Sequence, residues 1–456
     1  MSRHPHSRDG VLHADLCIIG AGSGGLSLAA GAVQMGASVI LIERAEMGGD
    51  CLNAGCVPSK ALLAAAKRRL PFAEAMAQVH AAIATIAPHD SQERFESLGC
   101  TVLRAEARFT SPTELEAAGQ RIRARRFVIA TGSRPSTPDI PGLGPCLSNE
   151  TIFSLAEQPR HLAIIGGGPI GVEMAQAFAR LGTQVSLVEQ ARLLPRDEPD
   201  AAEIIAAALR ADGVTIHENT AIHRAEGTAL HTSAGIIEAT HILAATGRRP
   251  TLEALNLEAA DVAHTEKGVA VDDSLRSTTN RRVFALGDVA GRGQFTHLAG
   301  WQAGIVLRRA LFRLPVSGTP GALPWVTYTE PEIAQLGLTE AQARAAGHRA
   351  SIQQAPFTAN DRAVAEGNTT GRVKLVLGRG GKLLGASIIG PHAGELIAMP
   401  ALAMQQGLGA RALAGLLLPY PTLSEAIKRA AGQHFTPSLF SPRTRWLTGL
   451  AQRWLP

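Results

Sequence analysis

A unit of strand, glycine-rich turn, helix and second strand occurs twice in the sequence, and it limits the possible fold more than any other feature. In the first copy the strand covers residues 15–20, and in the second it covers residues 162–165. The glycines and the acidic residue of the first copy are Gly20, Gly22, Gly25 and Glu43. The second copy has Gly166, Gly168, Gly171 and Glu189 at the corresponding places. In both copies the glutamate follows the first glycine by 23 positions and ends the second strand.

The glycine spacing of both copies has a physical explanation. In a dinucleotide-binding turn, the first glycine permits a tight turn, the second lets a pyrophosphate approach the backbone, and the third lets helix and strand pack closely. The helix N-terminus stabilises the phosphate charge, and the acidic residue accepts hydrogen bonds from a ribose. One such series is weak evidence, but two with the acid at the same offset indicate two nucleotide-binding domains of related design.

The order of the remaining segments suggests how 456 residues divide into domains. Each copy leads to an apolar strand that ends in Ala-Thr-Gly, at residues 130–132 and 245–247, and a later strand ends at Gly287 and Asp288. From about residue 321 onwards the pattern suggests an α+β domain. The predicted fold class is therefore α/β, with two Rossmann-like domains and an α+β C-terminal domain. The predicted segments are 1–150 for the first nucleotide-binding domain, 151–265 for the second, 266–320 for a return to the first, 321–432 for the C-terminal domain and 433–456 for a tail.

Composition argues against several classes of protein. The net charge is +5, but no run of Lys and Arg suggests a nucleic-acid partner. The sequence has no secretory signal pattern and no stretch of about 18 consecutive apolar residues, so we expect a cytoplasmic protein. Five cysteines in a reducing compartment should be mostly free thiols, and we predict no metal site.

Residues 48–60 contain two closely spaced cysteines in the segment Gly-Gly-Asp-Cys-Leu-Asn-Ala-Gly-Cys-Val-Pro-Ser-Lys, called the redox motif below. Cys51 and Cys56, with Gly55 between them, can close a small disulfide ring if the start of the helix is distorted. A helix N-terminus or a nearby cation lowers the pKa of a thiol and so supplies the thiolate that disulfide exchange needs. Two buried structural cysteines would give the same spacing, but beside a nucleotide-binding turn a redox-active pair is the better interpretation.

These motifs together resemble the pyridine nucleotide–disulfide oxidoreductases, over residues from about 12 to 432. That family includes dihydrolipoamide dehydrogenase, glutathione reductase and mercuric reductase. The resemblance implies a homodimeric flavoprotein of cell redox homeostasis, with FAD in the first domain, NAD(P) in the second and dimerisation by the third. It assigns FAD binding to Gly20, Gly22, Gly25, Glu43, Gly287 and Asp288, NAD binding to Gly166, Gly168, Gly171 and Glu189, and cofactor binding in general to Gly49, Thr131, Gly132 and Gly247.

The resemblance also implies roles in the redox site. Cys56 would lie against the flavin as the charge-transfer thiol, and Cys51 would be the interchange thiol that meets the substrate. Lys60 and Glu173 resemble the ion pair beside the flavin, where the lysine stabilises reduced flavin electrostatically. An unrelated surface lysine and helical glutamate are the plainer alternative for that pair.

The sequence departs from the family pattern at residues 418–425. Reductases of this group usually carry His-Pro-Thr there, with a glutamate five positions after the histidine, and the partner subunit supplies this acid/base. Here Tyr420 replaces the histidine and Glu425 is kept. A phenol with a pKa near ~10 is a poor base at neutral pH, whereas imidazole near ~6.5 is well placed. Either another group handles protons or the substrate is not an ordinary disulfide, unless Tyr420 only packs at the dimer interface.

Three functions remain open at this point. The first is a disulfide or dithiol oxidoreductase similar to dihydrolipoamide dehydrogenase. The second is a reductase of a metal ion or small electrophile similar to mercuric reductase, although we expect neither the N-terminal metal-binding module nor the C-terminal cysteine pair of those enzymes. The third is a flavoprotein electron donor to a partner or membrane acceptor. Glu189 favours NAD because it would repel a 2′-phosphate, while Arg192 and Arg196 leave NADP open.

Three further segments carry weaker signals. Residues 435–456 contain tryptophans, leucines and arginines that could form a basic amphipathic helix, for which packing on its own dimer is favoured over a membrane or partner. His89 is expected in an exposed loop, and His297 is expected to have a structural role beside the Gly-Asp motif. Cys17, Cys100 and Cys146 are expected to take no part in the chemistry.

Overall fold

A computed structural model describes residues 4–455. Its α-helices are α1 Ser23–Gln34, α2 Gly49–Asn53, α3 Cys56–Lys67, α4 Phe72–Asp90, α5 Gln92–Leu98, α6 Pro169–Arg180, α7 Pro199–Ala211, α8 Thr296–Phe312, α9 Glu340–Ala345, α10 Asp361–Ala365, α11 Ala393–Leu396, α12 Ala398–Gln405, α13 Ala410–Ala414, α14 Glu425–Gln433, α15 Thr436–Leu439 and α16 Pro442–Gln452.

The strands of the described residues are short and lie in several sheets. They are β1 His6–Arg8, β2 Val11–Ile19, β3 Val39–Glu43, β4 Thr101–Arg104, β5 Ala107–Ser111, β6 Glu114–Ala117, β7 Gln120–Ile129, β8 Ser133–Pro135, β9 His161–Ile165, β10 Gln184–Val188, β11 Val214–His217, β12 Ile222–Glu226, β13 Ala229–Thr232, β14 Gly235–Glu238, β15 His241–Ala244, β16 Arg248–Pro250, β17 His264–Thr265, β18 Gly268–Val269, β19 Val283–Ala285, β20 Pro324–Thr327, β21 Glu332–Gly337, β22 Ser351–Pro356, β23 Arg372–Leu377 and β24 Leu383–Gly390.

The chain forms two compact units. The first comprises residues up to 190 together with 219–320, and the second comprises 191–218 together with the residues from 321 onwards. The segment 191–218, which follows the second glycine turn in sequence, therefore belongs to the same unit as the C-terminal sheet.

A mostly parallel sheet forms the centre of the first unit. Strand β2 pairs in parallel with β3 and β7, and β3 and β7 pair in parallel with β4 and β19 respectively. The residues at the carboxyl ends of β2 and β7, 16–19 and 127–129, are apolar and buried, as is usual where both faces of a parallel sheet are covered. Helices α1 and α8 pack together over one face. This arrangement brings the carboxyl ends of β2, β7 and β19 to one edge of the sheet, where ligands bind in folds of this kind.

The first unit contains a second parallel sheet built on the repeated pattern. Strand β9 lies between β10 and β15 and pairs in parallel with both. Strands β12, β13 and β14 form a separate antiparallel sheet. Each copy of the repeated sequence pattern thus forms its own parallel sheet, and both sheets belong to the same compact unit.

The second unit contains a five-stranded antiparallel sheet in the order β20-β21-β24-β23-β22. Lys374 of β23 is buried, and its ammonium lies 3.0 Å from carboxylate oxygens of both Glu198 and Glu340. A buried cation without its partners would cost several kcal/mol, so this cluster fixes the segment around Glu198 to the sheet. No described helix is long and apolar enough to cross a membrane.

Candidate functional site

The first glycine turn, Gly20–Gly25, connects β2 to α1. Gly20 has a φ of +109°, and a Cβ there would lie 2.4 Å from the carbonyl oxygen of Ala130. A Cβ on Gly25 would lie 1.9 Å from the carbonyl oxygen of Gly20, so only glycine lets the helix start this close to the strand. In contrast, a Cβ on Gly22 would meet no atom within 4 Å. The open space at Gly22, at the N-terminus of α1, fits a phosphate group.

Glu43 fixes the shape of this turn. One of its carboxylate oxygens accepts a hydrogen bond from the Ala21 N–H at 2.7 Å, and the other accepts one from the Ala45 N–H at 2.7 Å. Charge-assisted bonds of this kind are stronger than bonds between neutral groups. The glutamate therefore holds the turn in shape at the position where the sequence predicts a ribose contact.

The second glycine turn, Gly166–Gly171, repeats this geometry between β9 and α6. Gly166 has a φ of +110°, and a Cβ on Gly171 would lie 1.9 Å from the Gly166 carbonyl oxygen. A Cβ on Gly168 would meet nothing within 4 Å. A carboxylate oxygen of Glu189 accepts a hydrogen bond from the Gly167 N–H at 2.7 Å.

The redox motif packs directly against the first glycine turn. Gly48 forms a parallel bridge with Gly22, and a Cβ on Gly49 would lie 2.7 Å from the Gly22 Cα atom. Both residues have left-handed backbone, with φ of +87° at Gly48 and +61° at Gly49. These two glycines let the cysteine-bearing segment approach the nucleotide-binding turn at backbone distance.

The two cysteines lie on two successive short helices. Cys51 is in α2, which ends at Asn53, and Cys56 is the first residue of α3. This differs from the single helix that the sequence suggests. The break falls at Ala54 and Gly55, where a Cβ on Gly55 would lie 2.9 Å from the Asp50 carbonyl oxygen. The chain folds back tightly at this point, which brings the two thiols into hydrogen-bonding contact.

The pKa values of the two thiols are shifted in opposite directions. A hydrogen bond from Cys51 lowers the pKa of Cys56, and Thr296 and Lys60 act in the same direction. Against the opposing effects of burial and of Glu173, these groups together bring the pKa of Cys56 to about 6. The same hydrogen bond, with burial, raises the pKa of Cys51 well above its usual range. At neutral pH the pair has therefore lost one proton. Cys56 is the thiolate, and it accepts a hydrogen bond from the Cys51 thiol.

Thr296 was not predicted from the sequence. Its hydroxyl lies 3.5 Å from the Cys56 Sγ atom, and it is the first residue of the 17-residue helix α8. A helix N-terminus stabilises a nearby thiolate. The available signal was a hydroxyl residue at the start of a helix shortly after the Gly-Asp motif.

Lys60 and Glu173 lie together in the first unit. The Lys60 ammonium is 2.8 Å from a Glu173 carboxylate oxygen, and the glutamate side chain is only 5% exposed. Lys60 also donates to the Ser59 hydroxyl at 3.3 Å. The pair connects α3, which begins at Cys56, to α6 of the second nucleotide-binding fold.

A polar network around Asp50, also missed by the sequence reasoning, holds the helix that carries Cys51. The Asp50 carboxylate accepts a hydrogen bond from the Asn149 amide at 2.8 Å and lies 3.3 Å from the Arg248 guanidinium. The Asn149 amide also donates to the Ala54 carbonyl at 3.1 Å, which closes the network at the helix break. A carboxylate directly before a cysteine and an arginine after the second Ala-Thr-Gly were the available signals.

Asp288 lies in the same region of the first unit. The Ser133 hydroxyl donates to its carboxylate, and the same hydroxyl accepts a hydrogen bond from Arg248 at 2.8 Å. Burial raises the pKa of Asp288, although Ser133 and Arg248 act in the opposite direction. The neighbouring predicted residues Gly132, Gly247 and Gly287 all have positive φ, and the Thr131 hydroxyl donates to the Thr251 carbonyl at 2.7 Å.

Tyr420 and Glu425 lie in the second unit. The Tyr420 side chain is exposed, and its hydroxyl donates to the Asp361 carboxylate at 2.8 Å. That hydrogen bond and the charge of Asp361 raise the pKa of Tyr420 above its usual value. The Glu425 carboxylate accepts a hydrogen bond from the Thr422 N–H at 3.2 Å. The phenol therefore remains protonated at neutral pH.

The other candidate residues lie at several places. His89 is exposed as expected, but it belongs to the last turn of α4 and not to a loop. His297 is in the first turn of α8, with its ring stacked on Phe295. Cys17 is fully buried in β2, Cys100 is buried, and Cys146 is partly buried. Burial raises the pKa of Cys17 and Cys100, which keeps both thiols protonated.

Two glycine turns for dinucleotides and an acidic thiol paired with a second cysteine define a class of flavin- and nicotinamide-dependent thiol–disulfide enzymes. Residues 14–303 match the family described as pyridine nucleotide-disulphide oxidoreductase, and residues 323–431 match its dimerisation domain. The chain belongs to this family. It is an FAD-dependent NAD(P)H oxidoreductase that acts on disulfide or sulfur groups.

Several relatives match along nearly the whole chain. A mercuric reductase of Staphylococcus aureus is 36% identical over 454 residues, which cover 93% of this chain and 83% of that protein. A dihydrolipoyl dehydrogenase of Thermus scotoductus is 34% identical, and the match covers 91% of this chain and 96% of that protein. The structure of the HOCl-induced flavoprotein disulfide reductase RclA from Escherichia coli has a TM-score of 0.86 and 30% identity, covering 92% of this chain and 99% of that one.

The residues of the first unit fit the FAD that the family binds. The open Gly22 position, the left-handed Gly48 and Gly49 beside it and the buried carboxyl of Asp288 are compatible with a pyrophosphate and a polyol. At the second glycine turn, the open Gly168 position fits the pyrophosphate of the nicotinamide nucleotide in the same way.

Proposed function

We propose that the protein reduces a small disulfide with NADH through Cys56 and Cys51, in a reaction that also runs in reverse with a dithiol. The observation that carries this proposal is the acidity of the pair, in which the pKa of Cys56 is about 6 and Cys51 is its hydrogen-bond donor. Such a pair supplies a thiolate at neutral pH without a separate base. The neighbouring first glycine turn and the Lys60–Glu173 pair are consistent with electron delivery at Cys56.

The proposed roles of the two thiols follow from the chemistry of exchange. FAD held at the first glycine turn and Asp288 would supply the electron pair that reduces the cysteine disulfide, with NADH as its source. With the pair reduced, Cys51 passes its proton to the Cys56 thiolate along their hydrogen bond. The Cys51 sulfur then attacks the substrate disulfide, forms a mixed disulfide and expels one substrate thiolate. The Cys56 thiolate then attacks the Cys51 sulfur, which closes the protein disulfide and releases the second substrate thiolate. The first substrate thiolate takes up the proton that Cys56 received, and the second is protonated by solvent, so one proton from the pair and one from solvent account for the two thiols that leave.

The chain's own residues support each half of this exchange. Lys60 and the N-terminus of α8 at Thr296 stabilise negative charge on Cys56. Glu173 keeps the lysine in position. Asp50, Asn149 and Arg248 hold the helix of Cys51, so the attacking sulfur is fixed separately.

Tyr420 is poorly suited to protonate the leaving thiolate. The phenol donates its hydrogen bond to Asp361 and has a raised pKa, so it is a weaker acid than a free tyrosine. We therefore infer that the preferred acceptors are disulfides whose thiols leave without protonation. Aromatic disulfides have this property because their thiols have a low pKa.

A comparison of acceptors tests this inference. Turnover with an aromatic disulfide should exceed turnover with lipoamide, and Tyr420→His should raise only the lipoamide rate. Tyr420→Phe serves as the matched control because it removes the hydroxyl and adds no base. Equal rates on both disulfides in the natural enzyme would contradict the inference, as would a loss of lipoamide turnover in Tyr420→His.

Substitution of the thiols tests the relay itself. Cys51→Ser should abolish turnover but keep the long-wavelength absorbance of the Cys56 thiolate beside bound flavin. Cys56→Ser should lose both. Unchanged turnover in Cys51→Ser would remove the exchange mechanism.

Reduction of a thiol-bound soft metal ion such as Hg(II) is a second candidate. The similarity to mercuric reductases and the tyrosine at position 420 favour it. The matched dimerisation segment, residues 323–431, contains no cysteine that could pass a metal ion to Cys51. Oxidation of NADH that is stimulated by Hg(II) more than by any disulfide would establish this second function.

We also propose that NADH is preferred to NADPH and that the chain acts as a homodimer. Glu189 would repel a 2′-phosphate. The Arg192 guanidinium already donates to the backbone carbonyls of Leu193, Leu194, Pro195 and Asp197, and Arg196 lies 5.3 Å above the Trp325 ring. Steady-state rates with both nucleotides test the preference, and sedimentation equilibrium tests the dimer.

A further inference from the structure

The C-terminal helix α16 presents an uncovered apolar face. Trp446 is 67% exposed, Leu447 56%, Leu450 41% and Trp454 83%. Trp446, Leu447 and Leu450 lie on one side of α16, and Trp454 lies in the turn just after the helix ends at Gln452. No residue of α16 is buried. Leu439 at the end of α15 and Phe440 just after it are also exposed, so the apolar surface continues towards the start of the tail.

Cations accompany this apolar face without any anions. Residues 426–456 contain five basic residues, Lys428, Arg429, Arg443, Arg445 and Arg453, and no Asp or Glu. Two of the four tryptophans of the sequence also lie in this segment. Tryptophan and arginine together are typical of helices that lie in the interface of a lipid bilayer.

We propose that α16 binds the surface of a membrane that contains anionic phospholipid, with its tryptophans and leucines inserted and its arginines on the headgroups. The helix has 11 residues, or about 16 Å, so it is too short to cross the ~30 Å hydrocarbon core and would lie in the plane of the interface. Anionic headgroups complement a segment that has five basic residues and no Asp or Glu, with Arg443, Arg445 and Arg453 in or next to α16. This inference goes beyond the proposed function and does not depend on it.

Other occupants fit the tail less well. Two copies of α16 packed on one another would bring together Arg443, Arg445 and Arg453 from both chains, and these like charges would repel. Nucleic acid would engage the arginines but leave the tryptophans and leucines in water. A bilayer surface satisfies the cations and the apolar face at the same time.

Flotation of the full-length protein with lipid vesicles tests the proposal. The protein should float with vesicles of phosphatidylcholine and phosphatidylglycerol but not with phosphatidylcholine alone, and high salt should weaken binding. Replacing Arg443, Arg445 and Arg453 by Gln should lower the partition coefficient on the order of a hundredfold. Trp446→Ala combined with Trp454→Ala should lower it even at low salt, while turnover in solution remains unchanged.

Matched controls separate the tail from general charge and from dimer packing. Replacing exposed Arg108, Arg121 and Arg349 by Gln removes the same charge elsewhere and should leave flotation nearly unchanged. Absence of flotation with anionic vesicles would overturn the proposal. It would also be overturned if the tryptophan double variant sedimented as a monomer where the natural protein is a dimer, because the tail would then belong to the subunit interface.

Discussion

The first and second glycine turns share a backbone conformation but differ in what packs against them. Their first glycines have φ of +109° and +110°, and their third glycines make the same 1.9 Å approach to a carbonyl oxygen. Each glutamate accepts a hydrogen bond from a turn N–H at 2.7 Å. Against the first turn, however, lies the redox motif, through Gly48 and Gly49. A local pattern thus produces the same turn shape twice, and only the first turn has the cysteine-bearing segment packed against it.

Loss of the third glycine gives the largest expected effect in this comparison. A Cβ at either position meets a carbonyl oxygen at 1.9 Å, so the helix must move, at a cost of about 1–3 kcal/mol. Gly25→Ala should yield protein without FAD. Gly171→Ala should retain FAD and lose turnover with nicotinamide nucleotides.

The flavin-to-protein ratio and steady-state rates with NADH measure these two outcomes. Gly304→Ala in α8 is the control, because a Cβ there meets no atom within 4 Å. Retention of FAD in Gly25→Ala together with its loss in Gly171→Ala would reverse the assignment of the two turns.

Replacing either of the two glutamates by arginine should give the next largest effect, and the effect should differ between the two turns. Glu189→Arg should move the ratio of kcat/KM for NADPH and NADH towards NADPH by about tenfold or more, because the repulsion of a 2′-phosphate becomes attraction. Glu43→Arg should instead weaken FAD binding and leave that ratio unchanged. Equal effects of both substitutions on the ratio would mean that the two sites are not distinct.

The Lys60–Glu173 pair connects the redox motif with the helix of the second glycine turn, and its two members act on Cys56 with opposite sign. The positive charge of Lys60 lowers the pKa of Cys56, and the negative charge of Glu173 raises it. The thiolate absorbance beside flavin should therefore grow as pH rises through about 6 in the natural protein.

The midpoint of this titration should move upwards in Lys60→Met, by roughly one pH unit, and downwards in Glu173→Gln. Thr296→Val should also raise it, because a hydrogen bond that lowers the pKa is lost. Spectrophotometric titration of the holoenzyme measures all three, and shifts of the same sign in Lys60→Met and Glu173→Gln would contradict the electrostatic account.

The Asp50 network exists only at the first turn and gives the smallest expected effect. Asp50→Asn keeps a side chain that accepts hydrogen bonds but leaves Arg248, whose side chain is 13% exposed, without its carboxylate. Turnover should fall several-fold, about 1 kcal/mol, with no loss of FAD. Alkylation of Cys51 should become faster, since its helix is less well fixed and the thiol is reached more easily, and exposed Asp139→Asn serves as the control.

The sequence predicted the parts of the site that depend on local geometry. The glycine turns and the glutamates at the ends of the second strands, Glu43 and Glu189, follow from backbone constraints and motif spacing. The Lys60–Glu173 contact was expected only from the family resemblance, since the two residues are 113 positions apart. Thr296, Asn149 and Arg248 lie about 100 to 240 positions from the residues that they contact, so no local pattern could connect them. The helix break at Gly55 was also missed, because alanines and leucines downstream favour one continuous helix.

The separation of the cysteines by Gly55 has a consequence for how an enzyme of this kind could acquire a new substrate during evolution. Cys51 is carried on a five-residue helix fixed by Asn149 and Arg248, whereas Cys56 begins a different helix fixed by Lys60 and Glu173. In the proposed exchange, substitutions around the short helix can therefore change the surroundings of Cys51, the sulfur that meets the acceptor, without changing those of Cys56.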